Sequence, residues 1–91
     1  MTRITVTYDG FFVGTSRLYR DVLTLNSPTL ANVIEVMTEK LGPRFRSTLI
    51  AAGTGEISDQ VAVLVNGRRL PLHTPLQEED EVAILFPIAG G

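Results

Sequence analysis

The sequence predicts an α+β fold in which a mixed sheet of four to five strands packs on one main helix. Three observations carry that prediction: an alternating apolar stretch near the start, one amphipathic helical period in the middle, and two strand-length apolar runs later, the first closed by Asn66-Gly67. At 91 residues the chain has room for one hydrophobic core. With 44% hydrophobic and 20% charged residues, its composition is that of an ordinary globular domain, far from disordered usage.

Each element follows from local chemistry. Ile4, Val6 and Tyr8 alternate with Thr5 and Thr7, as on a half-buried strand. Asp9-Gly10 and Gly14-Thr15-Ser16 are turn signals, so the chain should reverse through 11–17 into a second strand near Arg20 to Leu25. Ser27-Pro28 reads as a helix start, serine accepting from free amides and proline fitting the first helical position. Leu30, Val33, Ile34, Met37 and Leu41 then recur at helical spacing, with Asn32, Glu35 and Glu39 on the far side. Gly42-Pro43 should stop that helix. A short helix is expected within 44–52, then a loop at Gly53-Thr54-Gly55 and Ser58-Asp59. Val61 to Val65 is a continuous apolar run, the pattern of a strand covered on much of both faces. Asn66-Gly67 is a strong two-residue hairpin signal, so a short strand at Arg68 to Leu70 should follow. A loop through Pro71 and Pro75 then leads to a last strand from Val82 to Phe86.

Composition also excludes chemistry. Eight basic against ten acidic residues leave a net charge of -2, with no cationic surplus for nucleic acid or an anionic membrane. No apolar run approaches the roughly 20 residues that span a bilayer, and the start alternates instead of forming a signal-like apolar block, so a cytoplasmic protein is expected. Without cysteine there is no disulfide, thiolate ligand or thiol nucleophile, and with His73 as the single histidine no multi-histidine metal site is expected. Gly53-Thr54-Gly55 lacks the spacing and the following lysine of a phosphate loop. Nothing pairs as nucleophile and base, so the chain is not expected to be an enzyme on its own.

What remains is the final segment, Phe86-Pro87-Ile88-Ala89-Gly90-Gly91. Proline cannot extend a sheet ladder, so residues 1–86 are read as the domain and 87–91 as a flexible tail, reaching at most about 16–18 Å. Two glycines let the backbone pass a narrow channel close to a bound nucleotide. The Gly91 carboxylate is ionised at neutral pH and is a weak oxygen nucleophile toward the α-phosphate of ATP. Positioned and neutralised by a partner enzyme, it can become an acyl-adenylate that a sulfur donor opens to a thiocarboxylate. The plainer alternative is that Gly90-Gly91 is a frayed end.

The C-terminal third resembles the MoaD and ThiS family of β-grasp sulfur carriers, which includes the small subunit of molybdopterin synthase. The resemblance rests on Val63-Leu64-Val65-Asn66-Gly67, on Thr74-Pro75-Leu76 leading to Asp80-Glu81-Val82-Ala83-Ile84, and above all on Phe86-Pro87-Ile88-Ala89-Gly90-Gly91. It implies a ubiquitin-like β-grasp domain over 1–86. It also implies that Gly91 is adenylated by a ubiquitin-activating-like adenylyltransferase and loaded by a sulfur donor enzyme, with no cofactor bound and ATP used by the partner. A larger molybdopterin synthase-type subunit is a further implied partner. Phe86, Pro87, Ile88, Ala89 and Gly90 would be the partner-binding residues, although Phe86, Pro87 and Ile88 can equally be core. Two departures stand out. The family often has glycine in the turn before the last strand, where this chain has Glu78-Glu79-Asp80, which suggests a different turn. The first hairpin carries Phe11-Phe12 where molybdopterin-type members are expected to have a shorter, arginine-bearing helical turn.

Other residues have ordinary readings. Of the adjacent Phe11 and Phe12, a loop ring folded on the core edge is favoured over a partner contact. Arg68 and Arg69 read as solvated edge charge, His73 as a surface residue, and Glu78 to Glu81 as a solvated turn. Rival functions are a ubiquitin-like modifier joined to lysines through Gly91, and an interaction module of the same fold with an inert tail.

Overall fold

The computed structural model describes residues 1–86, the side chains of Phe12 and Val13 excepted. The expected tail, Pro87, Ile88, Ala89, Gly90 and Gly91, lies outside the described residues. In chain order the elements are β1 (Thr2–Asp9), a 3-10 turn (Gly10–Val13), β2 (Leu18–Leu25), α1 (Leu30–Leu41), α2 (Pro43–Leu49), β3 (Ala62–Val65), β4 (Arg68–Arg69) and β5 (Glu81–Leu85).

The sheet has five strands in the order β2-β1-β5-β3-β4. β5 therefore lies in the middle, parallel to β1 and antiparallel to β3, while β1–β2 and β3–β4 are antiparallel hairpins. This is the mixed sheet that the sequence predicts. Strand alternation sends Ile4, Val6 and Tyr8 from β1, Val63 and Val65 from β3, and Val82 and Ile84 from β5 to one face. Leu30, Val33, Ile34 and Met37 of α1 and Phe45 and Leu49 of α2 close over that face. Burial of each such side chain stabilises the fold by about 1.5–3 kcal/mol. Since both helices cover the same face, Ala62 and Leu64 on the other are only half-buried, so β3 is not covered on both sides as its unbroken apolar run suggests.

The helix start differs from the sequence reading. Thr29, not Ser27, is the cap: Asn32 N donates to Thr29 Oγ1 at 3.3 Å and Thr29 N donates to Asn32 Oδ1 at 2.9 Å. Ser27 takes a left-handed φ of 46°, and the Pro28 carbonyl accepts from Leu76 N at 2.9 Å. These two residues join the helix to the 71–76 loop, which takes them out of the helix itself. Gly42, at φ 106°, ends α1 and Pro43 opens α2, as expected. Asn66 and Gly67 both have positive φ, 51° and 81°, the backbone of a tight hairpin turn.

Candidate functional site: the two ends of the central strand

β5 runs parallel to β1, so both strands begin at one end of the sheet and finish at the other. The beginning is polar. Asp80 Oδ2 accepts from Gln77 N at 2.7 Å and its Oδ1 from Asn66 Nδ2 at 2.8 Å, while Asn66 Oδ1 accepts from Glu81 N at 2.9 Å. Glu78 Oε1 accepts from Arg3 N at 2.8 Å, and Glu79 pairs with the Arg3 guanidinium, which donates from Nε at 2.9 Å. The acidic run is thus more than the solvated turn expected of it. Three of its carboxylates tie the start of β1, the Asn66-Gly67 turn and the start of β5 into one register. Glu79 has φ 68°, the left-handed conformation that glycine adopts most readily, so this residue takes the backbone shape that the family's glycine would supply. The hydrogen bond and charge of Arg3 hold the Glu79 carboxyl below its ordinary value.

The finish is aromatic. Phe86, the first residue after β5, packs partly buried against the core, and its ring stacks on Phe11 with centroids 4.2 Å apart and planes 17° from parallel. Phe11, 51% exposed, therefore covers the place where the chain leaves the sheet, and Phe86 is neither wholly core nor wholly free for a partner. Beside them Tyr8 and Tyr19, directly opposed on β1 and β2, stack at 5.6 Å. Burial, and secondarily the negative charge of Asp21, raises the Tyr8 phenol above its usual range. Tyr19 is lowered, because Thr15 Oγ1 donates to its hydroxyl at 3.1 Å and Arg17 bonds it too. Asp21 is held by Lys40 at 2.9 Å.

His73 is exposed, as the sequence suggests. Among the described residues no group of three or more metal-ligating side chains comes together. Arg68 and Arg69 are exposed on the two-residue edge strand. No helix among the described residues is long and apolar enough to cross a membrane. Sequence reasoning missed the contact between Phe11 and Phe86 and the link between Asn66 and Asp80; both join distant positions and carry no local signal.

Several solved structures share this architecture. The crystal structure of SAMP1 from Haloferax volcanii aligns over 98% of this chain and 99% of its own, at 22% identity and a TM-score of 0.73. A putative molybdopterin converting factor, subunit 1, from Pyrococcus furiosus matches over 97% and 100%, at 17% identity and a TM-score of 0.73. The solution structure of small archaeal modifier protein 1 from Methanosarcina acetivorans matches over 100% and 98%, at 21% identity and a TM-score of 0.69. At these identities the likeness establishes the ubiquitin-like β-grasp fold. No curated protein matches the chain in sequence. The model of the ThiS family, however, matches residues 17–91, well over half of the sequence and through the glycine pair. The chain therefore belongs to the ThiS family, in line with the resemblance of its C-terminal third.

Proposed function

We propose that this chain is a sulfur carrier that has no catalytic activity of its own and works through the carboxylate of Gly91. Inside a ubiquitin-activating-like adenylyltransferase, a Gly91 carboxylate oxygen attacks the α-phosphate of ATP, pyrophosphate leaves, and an acyl-adenylate forms. Hydrosulfide-level sulfur from a donor enzyme then adds to the acyl carbon. The bond from that carbon to the AMP oxygen breaks, one proton is released, and a thiocarboxylate remains. It donates sulfur in biosynthesis of a molybdopterin-type cofactor or of another sulfur metabolite. A larger synthase-type subunit can receive the tail, with Phe86, Pro87, Ile88, Ala89 and Gly90 as the stretch it grips. The chain itself holds no cofactor, and ATP belongs to the partner.

One observation carries this reading: β5 is the central strand, bonded on both sides, and the chain passes from it directly to Phe86 and the five residues after it. A reacting end that must enter another protein's channel gains from a short tether on a rigid root, since little conformational freedom is then lost on positioning. The family match running through Gly91 adds support. The test is intact mass of the protein isolated from its native cell, with replacement of one terminal oxygen by sulfur as the expected result. An unmodified terminus, together with unimpaired sulfur-dependent growth after deletion of Gly90 and Gly91, would point to an inert module.

A second reading is favoured by the proteins of similar fold that are named small archaeal modifier protein. In it the same activated Gly91 is joined to lysines of target proteins. Incubation with lysate and ATP separates the two: conjugates of higher mass that vanish with the Gly91 deletion mark a modifier.

A further inference from the structure

We propose that the cleft between the 3-10 turn and the α1–α2 corner is the docking site for the adenylyltransferase, and that it takes an apolar side chain of that enzyme with a carboxylate beside it. The inference rests on the carrier reading above and names the surface by which the partner holds the folded body. The cleft has a volume of about 550 Å³, and Phe11, Leu41, Pro43 and Phe45 contribute its apolar walls, with Arg44 and Thr48 as the polar side chains of the lining. That is the make-up of a recognition pocket: mostly apolar, with few directional groups.

Charge identifies the second half of the occupant. α2, with the sequence PRFRSTL, carries Arg44 and Arg46 and no acidic residue. The ion pairs among the described residues are Arg3 with Glu79 and Lys40 with Asp21, so no carboxylate among the described residues is paired with the Arg44 guanidinium. On a chain of net charge -2 this is a local cationic spot facing a cleft, and a guanidinium fork matches a carboxylate in two parallel hydrogen bonds.

Position identifies the enzyme. The Phe11 ring that walls the cleft is the ring stacked on Phe86, so the cleft adjoins the point where the chain leaves β5. Residues 87–91 reach at most about 16–18 Å from there. A protein seated in the cleft thus has Gly91 within reach of a nearby active site, and the body that grips the cleft is best placed to act on the terminus.

The test measures chain-dependent exchange of pyrophosphate into ATP by the adenylyltransferase purified for its activity on the wild-type chain. Arg44 is exposed, and Arg44→Glu should leave the melting temperature unchanged while raising KM for the chain roughly tenfold with kcat preserved. Arg44→Lys should recover part of that loss, and Thr48→Arg, which fills the cleft, should also raise KM. Unchanged KM for both Arg44→Glu and Thr48→Arg overturns the docking site while leaving the carrier reading intact. No exchange with the wild-type chain overturns the carrier reading, and this inference with it. Titration of the labelled chain with the enzyme should shift the amides of Gly14, Gly42 and Thr48. Shifts confined to the outer positions Leu18 and Val22, or the same cleft shifts produced by ATP alone, overturn the proposal.

Discussion

The two ends of the sheet are built from different chemistry and serve different purposes. Where β1 and β5 begin, Asn66, Asp80, Glu78, Glu79 and Arg3 form directional bonds between three separate segments. Where those strands finish, Phe11, Phe86, Tyr8 and Tyr19 meet through ring faces. Hydrogen bonds fix register because they fail when displaced by a fraction of an ångström, whereas stacked rings tolerate sliding and leave apolar surface for a partner. The polar end therefore sets where the central strand lies, and the aromatic end packs around Phe86, the first residue beyond it.

Substitutions should separate these roles. The largest effect is expected in the core itself, where Ile84 is fully buried on β5: Ile84→Ala should cost about 3–4 kcal/mol in chemical denaturation, and a loss below about 1 kcal/mol would mean that the central strand is not what holds the core. Next comes the polar end. Asn66→Ala removes two side-chain bonds and leaves alanine at positive φ, for a loss of about 1–2 kcal/mol with adenylation kinetics unchanged below the melting temperature. At the aromatic end the balance reverses. Phe11→Ala, at a half-exposed ring, should cost less than about 1 kcal/mol yet raise KM for activation. Ultraviolet titration should resolve the two phenols, Tyr19 ionising first and Tyr8 later, and Thr15→Val should move Tyr19 toward its ordinary value of 10.0. The smallest effect belongs to Arg3 and Glu79. Because the folded-state value of Glu79 lies below its ordinary 4.5, its contribution is present above 4.5 and fades as pH falls through the lower folded value. Acid unfolding of Arg3→Ala should lack that component.

Much of this could be read from the sequence because it is local. The helical period from Leu30 to Leu41, the stop at Gly42-Pro43 and the Asn66-Gly67 hairpin depend on neighbours within four residues. The cap is harder to read, because Ser27-Pro28 and Thr29 with Asn32 are both legitimate starts. The choice is made by Leu76, which bonds the Pro28 carbonyl from far along the chain. Likewise the role of the acidic run depends on Arg3, and that of Phe11 on Phe86, partners more than seventy residues away. Of the expected site, Phe86 is described and lies directly after β5, and the remainder rests on the family match and the chemistry of glycine.

The central position of β5 also has a consequence for how the chain is made. β1 and β2 can pair as soon as they emerge during synthesis, but the sheet has no middle until residues 81–85 arrive, and β3 with β4 has nothing to join before then. Completion of the sheet must await residues 81–85, and such distant pairing is slow compared with that of a helical bundle of similar length. An assembled body is thereby a certificate that translation has passed residue 85, so that anything selecting for the folded shape also screens out chains terminated before that point.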